Sequence, residues 1–143
     1  TLDGTLFPTR RSSDLIAACL VPGKHASTFG GNCLACAAAI ATIEAIEEEN
    51  LLQQAAQMGQ YAQERLRALQ AKHAAIDHVR GIGLMIGIQL TRPGAPYVAK
   101  CLERGLRINC THDTVIRFMP PMIVTKEQID EAVDIFDSVL AEG

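Results

Sequence analysis

Apolar residues recur along this chain in three rhythms, and each change of rhythm marks a change of element. Residues 33–43 carry no charged side chain, and charges begin again only at Glu44. An apolar stretch without a polar face predicts a helix buried on nearly every side, and so one packed inside something larger. After the polar break Glu47-Glu48-Glu49-Asn50, a second rhythm sets Leu52, Ala55, Gly59, Ala62, Leu66 and Leu69 at intervals of three and four among Gln, Glu and Arg. That spacing predicts a one-sided helix of about fourteen to twenty residues, suited to bridging two domains.

Beyond Lys72 the spacing becomes extended. Residues 76–80 and 84–90 read as strands around Gly81-Ile82-Gly83, an antiparallel hairpin or a bulged pair. A short helix over 96–104 is stopped by Gly105, and strands at 106–110 and 115–119 flank a turn at 111–114. Pro120-Pro121 ends the last strand, because proline has no N–H to give the ladder. The final helix opens at Thr125 with Gln128 three residues on, a capping box, and sets Ile129, Ala132, Val133, Phe136, Val139 and Leu140 on one face. From about residue 74 the chain is therefore expected to be α+β, a small mainly antiparallel sheet with helices on one face. Ahead of residue 33, residues 14–21 form a short apolar segment, expected to be helical and ended by Pro22-Gly23, and residues 1–13 show no period and read as an unassigned, non-native leader.

Composition narrows the classes. A chain of 143 residues with 48% hydrophobic content can bury a real core. Its formal charge of −3, with Lys and Arg scattered, gives no basic stripe for nucleic acid and no polybasic patch for a membrane. No apolar run reaches about 18 residues, and a cytoplasmic location is the expectation. The five cysteines, 19, 33, 36, 101 and 110, are an odd number in a core-rich chain, which argues for a reducing compartment. Cys33 and Cys36 have the spacing of a redox pair at a helix start, but no thioredoxin-like strand precedes them and no second pair supports zinc. Gly81-x-Gly83 is not a dinucleotide fingerprint, since position 86 is Ile and a strand follows instead of a helix.

Two stretches carry candidate chemistry. The first is His25-Ala26-Ser27-Thr28-Phe29-Gly30-Gly31-Asn32, where hydroxyls and glycines precede a helix. A helix start offers unpaired N–H groups and the positive end of the dipole, so Ser27 and Thr28 are candidate anion ligands. The alternative is a turn at Gly30-Gly31 with Asn32 as a cap and the hydroxyls as ordinary loop residues. The second is Arg117, which alternation places on a face with Val115 and Met119, against Ile116 and Phe118 on the other. Its fork suits a carboxylate, either of an internal salt bridge or of a substrate.

The first stretch, continued through Ala37, resembles the H-G-S-T-F-G-G-N-P-L-A-C-A signature of class III pyridoxal-phosphate aminotransferases, in the acetylornithine branch, with Ala26 in place of Gly and Cys33 in place of Pro. Val115-Ile116-Arg117-Phe118-Met119-Pro120-Pro121 resembles the same family's V-[LI]-R-[FL]-x-P-P, the run from Val79 to Gly87 its architectural V-R-G-x-G-L-M-x-G, and Gly105 to Thr111 its acetylornithine branch. The resemblance is continuous from Asp14 to Gly143. It implies an α/β protein of fold type I, with residues 14–73 the end of the cofactor-binding large domain and 74–143 the small C-terminal α+β domain. It further implies pyridoxal 5'-phosphate as cofactor, Thr28 on the cofactor phosphate of the neighbouring subunit, Ser27 at the substrate and Arg117 on the substrate α-carboxylate. The activity implied is amino transfer between N-acetylornithine, or a related ω-amino compound, and 2-oxoglutarate, of the arginine-biosynthesis type, in a homodimer with shared sites. Ornithine, succinylornithine and 4-aminobutyrate enzymes share these motifs. Transamination needs a lysine for the Schiff base, and Lys24, Lys72, Lys100 and Lys126 all lie outside that context. The chain is thus expected to be an inactive C-terminal fragment. The competing expectation is a non-catalytic α+β module for oligomerisation or anion binding.

Overall fold

The computed structural model describes residues 30–142. The segment expected to be helical at 14–21, Lys24, His25, Ser27 and Thr28 lie outside the described residues. By contacts the chain divides into two compact units, residues 1–42 and 43–143.

Gly30 and Gly31 form a turn, with Gly31 at φ +72°, and Asn32 then caps helix α1 (Cys33–Glu48), its side-chain carbonyl accepting from the Ala35 N–H at 3.0 Å. The expected burial of this helix is not met. None of its residues is buried, and Leu34 is 80% exposed and Ile40 57%. Its apolar residues point in all directions, so burying them requires surface on all sides, which the described residues do not bring.

Asn50, in the left-handed region at φ 52°, precedes α2 (Leu51–Lys72), and its carbonyl accepts from the Gln53 and Gln54 N–H groups at 3.1 Å. The helix has 22 residues and buries Leu51, Gly59, Ala62, Leu66 and Leu69. The stripe differs from the sequence expectation at its start, where Leu51 is inside and Leu52 is 72% exposed. This helix packs on the sheet within the second unit.

Strands β1 (Ile76–Ile82) and β2 (Met85–Leu90) form the expected antiparallel hairpin, with a register irregularity between Ile76 and His78. After helix α3 (Ala95–Glu103) come β3 (Asn109–Thr111) and β4 (Val115–Phe118). The four strands lie in the order β1-β2-β4-β3, and every neighbouring pair is antiparallel. Strand β3 is shorter than the 106–110 expected. Gly105, at φ +85°, ends α3 by a paired closure in which its N–H bonds Leu102 O at 3.0 Å and the Leu106 N–H bonds Cys101 O at 2.8 Å. The Leu106 donor is thereby committed to the helix end and lost to a ladder.

The core lies between one face of the sheet and the helices. Val79, Ile86, Ile88, Ile116 and Phe118 meet Ala62, Leu66 and Leu69 of α2 and the buried face of α4 (Lys126–Ala141), namely Ile129, Val133, Phe136, Val139 and Leu140. The capping box is present in both directions, Thr125 with Gln128. Polar ties hold α2 to α4: Tyr61 Oη donates to Asp130 at 2.8 Å, Arg65 Nε pairs with Asp130 at 2.9 Å, and Lys72 and His73 reach Asp137 at 2.6 and 2.5 Å.

Candidate functional site

The other face of the sheet is open, and the register states which side chains share it. Residues directly opposite across a ladder point to the same side. Arg80 pairs with Gly87, Gly87 with Arg117, and Arg117 with Asn109, so these four form one row. The next row of the same face is His78, Gln89, Val115 and Thr111.

Arg117 is exposed here, while its neighbours Ile116 and Phe118 are buried on the opposite face, as strand alternation required. Its Nη2 lies 3.0 Å from Met119 Sδ, a weak acceptor. Among the described residues it has no carboxylate partner, so the internal salt bridge left open by the sequence is not formed there. Without that partner the guanidinium is not stranded, because it is exposed on the open face, where water solvates it.

Around Arg117 the face is hollowed. A depression of about 390 Å³ has Gly87 and Val115 in its floor and Arg80, Arg117, Met85 and Met119 around it, with no Asp or Glu in its lining. The sequence reading passed over Arg80 and Gly87 as architectural. The pairing of 80 with 87 could have been counted from the hairpin turn, but the pairing of 87 with 117 could not, because a helix and a strand intervene in the chain.

Of the loop signature, Gly30, Gly31 and Asn32 are described and form a turn and a cap. The described lysines do not fit a covalent pyridoxal site: Lys72 is held by Asp137, Lys100 lies 3.4 Å from Glu142, and Lys126 sits 5.2 Å above the Tyr61 ring. Each is committed elsewhere on the surface. Cys33 and Cys36 are free thiols exposed in the first turn of α1, and Cys101 is buried, its thiol pushed up to about 11 by loss of water. Among the described residues no group of three His, Cys, Asp or Glu is arranged to hold a metal, and no helix is long and apolar enough to cross a membrane.

The family model described as aminotransferase class-III matches residues 5–140. The chain belongs to this family of pyridoxal-phosphate-dependent transferases, fold type I. It is 48% identical over 122 residues to the acetylornithine aminotransferase of Caldanaerobacter subterraneus subsp. tengcongensis, a match covering 85% of this chain and 31% of that protein. The crystal structure of acetylornithine aminotransferase from Elizabethkingia anophelis superposes with a TM-score of 0.79 at 33% identity, covering 90% of this chain and 35% of that one. The ornithine aminotransferase from Toxoplasma gondii, whose structure shows partial occupancy of the cofactor at its active site, superposes at 0.77 and 31% identity, covering 89% and 31%. The chain thus spans about a third of the length of the relatives it matches.

Proposed function

We propose that this chain is the C-terminal part of a pyridoxal-phosphate-dependent aminotransferase that exchanges an amino group between N-acetylornithine, or a related ω-amino compound, and 2-oxoglutarate, in the manner of arginine biosynthesis. The observation that carries the site is Arg117: a guanidinium in a strand, without a carboxylate partner among the described residues, over a hollow with apolar walls. Arg117 binds the substrate α-carboxylate through two parallel hydrogen bonds and so fixes the orientation of the amino acid. Ser27 contacts the substrate, and Thr28 donates to the cofactor phosphate of the other subunit in a cytoplasmic homodimer. Residues 14–73 complete the large domain, with α2 as the bridging helix, and residues 74–143 form the small one. The cofactor supplies the electron sink when bound, and the lysine that holds it belongs to the rest of the protein.

Amino transfer by the full-length protein tests this reading. Arg117→Ala should weaken both substrate and 2-oxoglutarate by about 2–5 kcal/mol with the cofactor retained. An Arg117→Ala protein with normal Michaelis constants would remove Arg117 from the site. For Thr28, the informative species is a hybrid dimer of one Thr28→Val subunit and one lacking the cofactor lysine. Contacts across the interface leave the lysine-containing site with near-normal cofactor affinity, whereas contacts within one subunit weaken it by about 1.5–3 kcal/mol. The 143-residue chain itself should give no stoichiometric borohydride-trapped adduct at a specific lysine. Such an adduct would contradict the assignment of the covalent centre to the rest of the protein.

A further inference from the structure

We propose that Met119 is a positioning residue, whose sulfur holds the Arg117 guanidinium ready for a carboxylate without neutralising it. The inference rests on the reading of Arg117 as the substrate's carboxylate ligand and adds what orients it. Residues 117 and 119 are two apart along an extended chain and so share a face, and Arg117 Nη2 donates to Met119 Sδ at 3.0 Å. Among the described residues no other side chain bonds this guanidinium. Gly87, across one ladder, has no side chain, and Asn109, across the other, makes no hydrogen bond to it. Arg65 and Arg104, which tie helices together, are instead held by carboxylates, Asp130 and Asp134 for the first and Glu142 for the second.

The kind of partner matters to an incoming ligand. A protein carboxylate would fix the arginine but neutralise it, and a substrate acid would have to displace that carboxylate. A thioether is uncharged and a weak acceptor, so it favours one arrangement of the side chain and leaves the positive charge intact. Nη2 carries two hydrogens, one on each edge of the fork. With one of them on sulfur, the opposite edge still presents two parallel N–H groups, the pair that a carboxylate accepts. An arginine held beforehand loses less freedom when its ligand arrives. The backbone that carries the sulfur has little room to move: Phe118, 6% exposed, anchors the strand on one side, and Pro120 confines residue 119 to extended geometry on the other. The Met119 side chain is 48% exposed, so a substitution there disturbs the fold little and acts on the arginine. Met119 also falls at the unspecified position of the family's V-[LI]-R-[FL]-x-P-P run, which makes the contact a property of this chain.

Met119→Leu keeps the bulk and removes the acceptor, and Met119→Gln returns an acceptor at similar reach. In the 143-residue chain, nitrogen relaxation of the Arg117 Nε–H should show greater mobility in Met119→Leu than in wild type, with the thermal midpoint unchanged. In the full-length protein, Met119→Leu should raise the Michaelis constants of the amino donor and of 2-oxoglutarate about two- to fivefold, the worth of one weak hydrogen bond, with kcat retained. Met119→Gln should recover most of both effects. Made in an Arg117→Ala background, Met119→Leu should change nothing further, because it acts only through the guanidinium. Unaltered Nε–H mobility and Michaelis constants in Met119→Leu, beside a defective Arg117→Ala, overturn the positioning role and leave the reading of Arg117 standing. An undiminished effect of Met119→Leu in the Arg117→Ala background overturns it too, since Met119 would then act on the substrate directly. Normal Michaelis constants in Arg117→Ala sink the two readings together.

Discussion

Helices α1 and α4 are each sixteen residues long and each opens on a side-chain cap, yet α4 buries five residues and α1 none. A cap supplies partners for the first N–H groups and so decides where a helix begins. It does not decide what the helix leans on. That is set by periodicity: α4 gathers its apolar residues on one face and covers a sheet, whereas α1 spreads Leu34, Ile40 and Ile43 around its axis. An apolar helix of the second kind is a demand for surroundings, and a chain that spans about a third of its relatives leaves the demand open.

The contrast can be broken most forcefully in α4. Phe136→Ala removes a ring that is 2% exposed and should cost about 3–5 kcal/mol in urea denaturation of the 143-residue chain. A loss as small as a surface substitution would mean that the core is not where the contacts put it. Thr125→Ala breaks the capping box and should cost about 1 kcal/mol by the same measurement.

A smaller effect comes from acid. Hydrogen bonds from Lys72, then from His73, hold the Asp137 carboxyl below its ordinary value of 3.8, so the folded state binds the proton less readily than the unfolded chain. Its contribution is complete above that ordinary value and is lost as pH falls through the folded one. Because Lys72 is well exposed, the stake is under about 1 kcal/mol. Asp137→Asn should flatten the acid limb of a stability profile and leave the limb above pH 5 parallel to wild type. Smallest of all, Ile40→Ala on α1 should shift the unfolding midpoint by no more than about 0.5 kcal/mol. A cost approaching that of Phe136→Ala would show that α1 is covered after all.

Much of this was legible beforehand, for reasons specific to each element. The α4 start followed from Thr125 and Gln128, and the hairpin from alternation around Gly81 and Gly83, because both are local in sequence. Leu51 replaced Leu52 at the buried edge of α2 because Asn50 enters the helix in a left-handed conformation, which periodicity does not encode. Strand β3 lost its first residues to the closure of α3, a competition for one N–H that propensities do not see. In the candidate site, alternation separated Arg117 from Ile116 and Phe118 without saying which face is open, and its neighbours Arg80 and Gly87 arrive through strand order, which is a property of the folded sheet alone.

The close approach of Gly59 to the Gly83 carbonyl has a consequence for reading mutational scans. Both positions will tolerate almost nothing, and a scan scored only by survival will rank them beside any residue that touches substrate. Scored instead by abundance, the two part from such a residue: Gly59 and Gly83 variants vanish from the soluble pool, because at Gly59 the collision is with backbone that cannot move aside and at Gly83 the φ of +50° strains any side chain, while variants of a binding residue accumulate and fall only in turnover. Two glycines of one domain would thus sort into the column opposite to a binding residue's, and the sorting needs no assay more elaborate than a fluorescent fusion beside a growth selection.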